Sequence, residues 1–202
     1  MILYGAGAFL VKVYETACRT THPPKAYFIE PTEPSPPLPI PLLGTYHPHL
    51  LPEEPIFLAF LDNTLRRNLS RRIQHPLASP IIHPTARVHP SASIGHGTFI
   101  GPHASIEEDT TIGPFVIIEE NAFIGSASSI AEGTYIGPSC RIAPRTAIGA
   151  YVYIGAGTAL QANPPLLPLH IEEGTIIGPN LRILDSYPPF SWHTFERSWP
   201  VR

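Results

Sequence analysis

From Ile82 onward an aliphatic residue returns at every sixth position: Ile82, Val88, Ile94, Ile100, Ile106, Ile112, Ile118, Ile124, Ile130, Ile136, Ile142, Ile148, Ile154 and Leu160. The fifth position of each hexad is small, running from Ala86 and Ala92 through Thr98, Ala104 and Thr110 to Cys140, Thr146, Val152 and Thr158. Glycine recurs at the second, as Gly95, Gly101, Gly113, Gly125, Gly137, Gly149 and Gly155. After a break from Pro164 through His170 the rhythm resumes at Ile171, Thr175 and Ile177. A period of six predicts a parallel β-helix in which three short strands and three turns make one triangular coil, and coils stack at about 4.8 Å. The first-position side chain points into the prism and meets its copies above and below. The fifth must be small because it shares that interior. The residue after the aliphatic one, glycine or acidic, is expected to serve the turn. Counting hexads gives about five to six coils, each touching only its neighbours, so both ends need caps.

Residues 1 to 79 carry no such period. Ile2-Leu3-Tyr4 predicts a strand, Gly5-Ala6-Gly7 a turn, and Ala8 to Cys18 a helix with Phe9, Val13 and Ala17 on one face. A second strand, Ala26–Ile29, ends at Glu30-Pro31. The stretch from Pro31 to Pro41 is too stiff and donor-poor for a helix or central strand. The apolar run Ile56–Leu61 fits a parallel strand buried on both faces. A helix capped by Asp62 or Asn63 follows and carries Arg66, Arg67, Arg71 and Arg72. The pattern predicts a small α/β module over residues 1–79, a β-helix domain over 80–185, and a tail over 186–202. That tail, with Phe190, Trp192, Phe195 and Trp199, is expected to cover the far end of the prism.

Composition narrows the function classes. Proline makes up 26 of 202 residues, more than twice the usual share, which excludes a long helical bundle. Net charge is −3 with 14% charged residues, so the chain offers no basic footprint for nucleic acid or anionic lipid. Cys18 and Cys140 are too few for a disulfide framework, and Cys140 stands at an inward position of the prism. No run of eighteen apolar residues spans a membrane, and the start lacks a secretory pattern. A cytoplasmic protein with reduced thiols is expected.

Hexads of this purity resemble the left-handed β-helix acyltransferases. The front motifs narrow the resemblance: Ile2-Leu3-Tyr4-Gly5-Ala6-Gly7, then Glu30, then Asp62-Asn63-x-x-Arg66, then His83-Pro84-x-Ala86 at the start of the prism. That succession is similar to the sugar acyltransferases that include sialic acid O-acetyltransferases and acetyltransferases acting on UDP-4-amino-sugars. The resemblance implies a homotrimer with acetyl-CoA in the groove between neighbouring prisms, lined by Pro144, Gly155 and Ala156, and no metal. It implies that the α/β module over residues 1–79 is a Rossmann-like, nucleotide-sugar-binding module. Gly5, Ala6 and Gly7 face the diphosphate, Glu30 the ribose or base, and Asp62, Asn63 and Arg66 the sugar. The activity implied is acyl transfer from coenzyme A to an amino or hydroxyl group of a nucleotide-linked or free sugar.

The family uses an imidazole to take the acceptor's proton. In its slot this chain has Ser126, with Ala127 where the carboxylate partner stands, Glu119 in the asparagine slot, and Phe9 where relatives carry a histidine. Glu119 or Glu120 with a carboxylate raised by burial, or His103 reaching a neighbouring subunit, are the substitutes the sequence offers. The alternative is a catalytically inactive trimer that still holds a nucleotide-sugar. A zinc site from His83, His89, His96 and His103 is disfavoured because they fall on successive prism faces.

Overall fold

The computed structural model describes residues 1–20, 22–30, 37–161, 168–186, 191–193 and 198–200. Strand β1 (Ile2–Gly5) leads through a turn into α1 (Gly7–Ala17), followed by β2 (Ala26–Ile29), β3 (Leu42–Thr45), β4 (Ile56–Ala59) and α2 (Asn63–Ser70). The four strands form one parallel sheet in the order β3-β2-β1-β4. β1 and β4 are buried throughout, as strands covered on both faces must be. Helix α1 packs on the face that carries Leu3, Tyr27 and Phe57, and α2 on the face that carries Tyr4, Phe28 and Leu58. Strand β3 is absent from the sequence prediction. It is the sheet's edge strand, with Leu42 half exposed, and only an edge tolerates the neighbouring prolines that concealed it. Residues 31–36 of the proline-rich stretch lie outside the described residues.

The remainder is a left-handed parallel β-helix built from hexapeptide repeats. One face, called here the docking face, stacks Ile81–Ile82, Phe99–Ile100, Ile117–Ile118, Tyr135–Ile136, Tyr153–Ile154 and Ile176–Ile177. The second face runs from Arg87–Val88 to Arg182–Ile183, and the third from Ser93–Ile94 to Leu169–Ile171. Paired residues lie eighteen apart until the break, where Ile148 pairs with Ile171. The spacing of 171 − 148 = 23 marks an insertion of 23 − 18 = 5 residues. Regular pairing resumes at Leu169, slightly before the aliphatic rhythm does; Pro164 and Pro165 lie outside the described residues. Backbone of the tail extends the docking face, Ser191–His193 parallel to Ile176–Ile177 and Ser198–Pro200 antiparallel beyond it. Phe190, Phe195 and the side chains of Trp192 and Trp199 are outside the described residues.

First- and fifth-position side chains fill the prism interior together. The fifth-position hydroxyls also join coils. Thr134 Oγ1 donates to the Gly149 carbonyl at 2.8 Å and accepts from the Val152 amide at 3.2 Å, while Thr98 and Thr158 donate to the carbonyls of Gly113 and Gly178. Each buried hydroxyl is thereby satisfied. Cys140 fills the same position, with Sγ donating to the Gly155 carbonyl and its thiol pushed up to about 11 by burial.

The second-position glycines do not serve the turn as expected. A Cβ on Gly95, Gly125 or Gly155 would lie 2.5 Å from backbone atoms of the next coil. It is the fourth position that turns left-handed: His103, Asp109, Asn121, Ala127 and Ser139 have φ of 58°, 55°, 57°, 53° and 58°. Glycine at the second position is therefore a matter of close approach between coils.

The α/β module sits on the docking face because the outward residues there, Ile81, Phe99, Ile117 and Tyr135, are apolar and pack against Phe9, Leu10 and Val13 of α1. Outward positions on the third face are Ser93, Thr111 and Ser129, all exposed. Two polar clamps flank the apolar contact. At one corner Lys12 pairs with Glu119 at 2.7 Å and Glu120 at 2.8 Å. At the other, the Arg66 guanidinium donates to the Gly133 carbonyl at 2.6 Å and Asn63 Nδ2 to the Val152 carbonyl at 3.0 Å.

Candidate functional site

Parallel sheets expose ligand-binding loops at the carboxyl ends of their strands, most openly where strand order reverses. Here the order reverses between β1 and β4. Gly5 allows the two to meet, since a Cβ there would lie 2.5 Å from the Ala59 carbonyl. Gly7 then opens α1 with φ of +63°, and nothing stands within 4 Å of where its Cβ would be. The helix cap, Ala6, supplies no side-chain acceptor, and the first turn holds no acidic residue. Its amide N–H groups and positive dipole end therefore face an open cavity of about 240 Å³ lined by Ala6, Gly7, Ala8, Phe60, Leu61 and Asp62.

Two further cavities flank this one, and the first shares lining residues with it. Leu61 and Asp62 also line a cleft of about 560 Å³ between α2 and the prism, whose other walls include Asn63, Arg67, Tyr151, Tyr153 and Ile176. Tyr153 stacks on Tyr135 at 4.9 Å, and Arg67 lies 4.6 Å above the Tyr151 ring. The Tyr151 hydroxyl donates to Glu132, and burial with that contact pushes it up to about 12. In the opposite direction Tyr4 and Phe60 meet edge to face at 5.2 Å. Beyond them lies a cavity of about 380 Å³ bounded by Tyr4, Glu30, Thr45, Tyr46 and Arg72. Tyr4 donates to Glu30 at 2.6 Å.

The residues singled out in the sequence divide accordingly. Gly5 closes the sheet, Ala6 and Gly7 line the central cavity, and Glu30 lines an outer one. Asp62 is the cap of α2, with Oδ1 accepting from the Leu65 amide at 2.8 Å, and it faces both the central cavity and the cleft. Arg66 does not close a sugar pocket. It is 1% exposed, and its terminal nitrogens donate to the carbonyls of Phe60, Leu61 and Gly133 and to Asn63 Oδ1. Burial pulls its guanidinium down to about 10, against the opposing influence of the Asp62 carboxylate. Phe9, in the family's histidine slot, packs edge to face on Phe99 at 5.3 Å. Tyr46, Arg72, Tyr151 and Tyr153 also line these cavities and were not singled out in the sequence.

The base candidates lie elsewhere. Ser126 stands at the prism corner between the second and third faces, the one corner that does not flank the docking face. Glu119 and Glu120 occupy a different corner. Glu119 is 3% exposed: burial raises its carboxyl and the Lys12 ammonium opposes that rise, while Lys12 and Glu119 hold Glu120 low. Both are committed to docking α1. His103 shares their corner, beside His83, whose imidazole is held low by burial and by Arg19. Pro144 lines a cavity of about 340 Å³ on the second face with Phe123, Arg141 and Gln161, directly one coil below Ser126. Gly155 and Ala156 sit at another corner, so one chain does not bring these three together. Among the described residues no group of three or more His, Cys, Asp or Glu is placed to hold a metal ion, and no helix is long and apolar enough to cross a membrane.

Residues 91–131 match the family model for bacterial transferase hexapeptide (six repeats). No curated protein matches the sequence. Among solved structures, a mutant perosamine N-acetyltransferase from Caulobacter crescentus in complex with CoA and GDP-perosamine is similar at TM-score 0.83 and 24% identity, covering 95% of this chain and 91% of that one. WeeI from Acinetobacter baumannii AYE is similar at TM-score 0.84 and 19% identity, with 98% of each chain covered. The acetyltransferase domain of PglB from Neisseria gonorrhoeae FA1090, in complex with acetyl coenzyme A, is similar at TM-score 0.75 and 20% identity, over 99% and 98%. The chain thus carries a hexapeptide-repeat segment of the bacterial transferase type within the left-handed β-helix fold of these acetyltransferases.

Proposed function

We propose that the protein transfers an acyl group from coenzyme A to an amino group of a nucleotide-linked sugar. One observation carries the reading: two cavities that share Leu61 and Asp62 open at the carboxyl end of β4, the first of them at the uncapped N-terminus of α1, and a third lies on the other side of the Tyr4–Phe60 contact. A diphosphate suits the middle cavity, because helix N–H groups and the dipole both favour an anion. The nucleoside then extends toward Tyr4 and Glu30, and the sugar enters the cleft of Asp62, Tyr151 and Tyr153. The solved structures that share the fold include complexes with CoA and a nucleotide-sugar, which supports the assignment.

The acceptor amine attacks the thioester carbonyl, the carbon–sulfur bond breaks, and coenzyme A leaves as its thiol. An amine suits a site whose base slot is Ser126. A serine hydroxyl with no imidazole partner takes no proton at pH 7, but an amine of pKa about 8, like an α-amino group, is partly neutral and attacks unaided. A sugar hydroxyl needs the missing base. Because Ser126 and Pro144 lie away from the chain's own α/β module, the donor groove is assigned to the contact between copies in a homotrimer. Thiol release from acetyl-CoA in the presence of nucleotide-linked amino-sugars tests the reading. Turnover dependent on both substrates supports it. Binding of the nucleotide-sugar without turnover points instead to an inactive relative, and no response to either ligand removes it.

A further inference from the structure

The cavity of Tyr4, Glu30, Thr45, Tyr46 and Arg72 has a recognition chemistry of its own. It lies on the α2 side of the sheet, between Glu30 and Thr45 at the carboxyl ends of β2 and β3 and Leu69, Arg72 and Ile73 at the C-terminal end of α2. Tyr4 and Tyr46 stack at 5.3 Å with planes 12° apart, forming an aromatic wall. The wall is fixed. The Tyr46 hydroxyl pairs with His75 Nδ1 at 3.1 Å and accepts from the Gln74 amide at 3.1 Å, and His75 is anchored in turn at the Leu50 carbonyl. The Tyr4 hydroxyl is held by Glu30 Oε2. A flat, preorganised aromatic surface is what a nucleobase stacks on. The charged groups at its margin then select the base. Glu30, half buried, has Oε1 with no hydrogen bond among the described residues. Arg72 is a fork of donors on the opposite, α2, wall.

We propose that this cavity is a guanine site, with Glu30 accepting from the N1–H and 2-amino groups of the base and Arg72 donating to O6 and N7. Guanine presents two adjacent donors on one edge and two adjacent acceptors on another, the complement of a carboxylate and a guanidinium on opposing walls. Uracil presents one donor between two carbonyl oxygens, and those oxygens repel a carboxylate. The placement suits one ligand running on toward α1, since Tyr4 and Ala6 are two residues apart on the same side of β1, about 6.6 Å. The inference rests on the nucleotide-sugar reading and adds its nucleoside.

Calorimetric titration of the full chain with GDP, inosine diphosphate and UDP tests it. The expected order is GDP tightest, inosine diphosphate about tenfold weaker for lack of the 2-amino group, and UDP weaker still. In Glu30→Gln, GDP affinity falls at least tenfold and UDP affinity is unchanged, with the far-ultraviolet spectrum confirming the fold. Equal affinity for GDP and UDP, or a preference for UDP, overturns the guanine assignment and leaves the nucleotide-sugar reading standing. Binding of none of the three overturns both.

Discussion

Two neighbouring residues of one turn separate the reasons a β-helix needs small side chains. Gly125 has no room for a Cβ, which would meet the Pro144 backbone nitrogen at 2.5 Å, whereas Ala127 stands exposed at φ of 53°. Gly125→Ala is expected to destabilise by about 1–3 kcal/mol through overpacking between coils. Ala127→Gly relieves left-handed strain but adds unfolded-state entropy, and so stays within about 0.5 kcal/mol of the parent. Urea unfolding of both variants checks the pair. Function at the same scale turns on Asp62. Asparagine caps a helix nearly as well as aspartate, so Asp62→Asn keeps α2 and removes only the charge. The expected result is a KM for the amino-sugar raised about tenfold with the KM for acetyl-CoA unchanged, the value of one charge-assisted contact. Steady-state kinetics with each substrate varied distinguishes this from a folding defect, which lowers the apparent kcat and leaves both KM values unchanged.

How α1 holds to the prism is a matter of elements. The apolar contact of Phe9, Leu10 and Val13 with Phe99, Ile117 and Tyr135 supplies most of the burial, and Lys12 fixes the angle by gripping Glu119 and Glu120. Removing Lys12 leaves a buried carboxylate facing a second one. Lys12→Met is expected to cost about 2 kcal/mol, below the usual penalty for breaking a buried pair because Lys12 is itself 37% exposed. The loss depends on pH. Glu119 in the folded state already titrates above the ordinary carboxylate value, and without Lys12 it rises further. A raised carboxyl binds its proton more tightly in the folded state, so the variant gains stability as pH falls from 7 toward 5 and loses it again as pH rises. Melting temperatures across that range check it; a deficit independent of pH contradicts the role given to Lys12. The same contact marks a limit of reading by sixes. The first and fifth positions announced the prism, but the docking face appears only at a period of eighteen, where Ile81, Phe99, Ile117, Tyr135 and Tyr153 are large and apolar while the outward residues of the other two faces are polar or alanine except Phe123. That longer period was present in the sequence and identifies both the covered face and the cleft of Tyr153. Strand β3 had no such signal, because an edge strand beside prolines lacks a buried apolar run. Nor did Arg66, whose arginine neighbours gave the pattern of a solvated helix face.

For the molecule as a whole, the chemistry depends on what the prism lacks at Ser126 and what the sheet edge provides. If the acceptor is an amine that loses its own proton, kcat/KM rises with pH through about 8 and shows no inflection near 6.5, where an imidazole base titrates. A pH–rate profile with a limb near 6.5 points to a histidine that the reading leaves out. Order along the site was partly readable: Gly5-Ala6-Gly7, Glu30 and Asp62 appear in the sequence at strand ends, and the sheet brings those ends to one edge. Tyr46, Arg72 and Tyr151 join them only through the folding of distant segments, and no local pattern marks them. The central claim is that a nucleotide-sugar lies along the carboxyl edge, from Glu30 past the start of α1 to the cleft under Tyr153. Hydrogen–deuterium exchange on the full chain with saturating nucleotide-sugar tests it most directly. The account predicts slowed exchange at the Gly7, Ala8 and Phe9 amides and at Tyr151 to Tyr153; protection confined to the prism around Arg141 and Pro144, with the start of α1 unchanged, contradicts it.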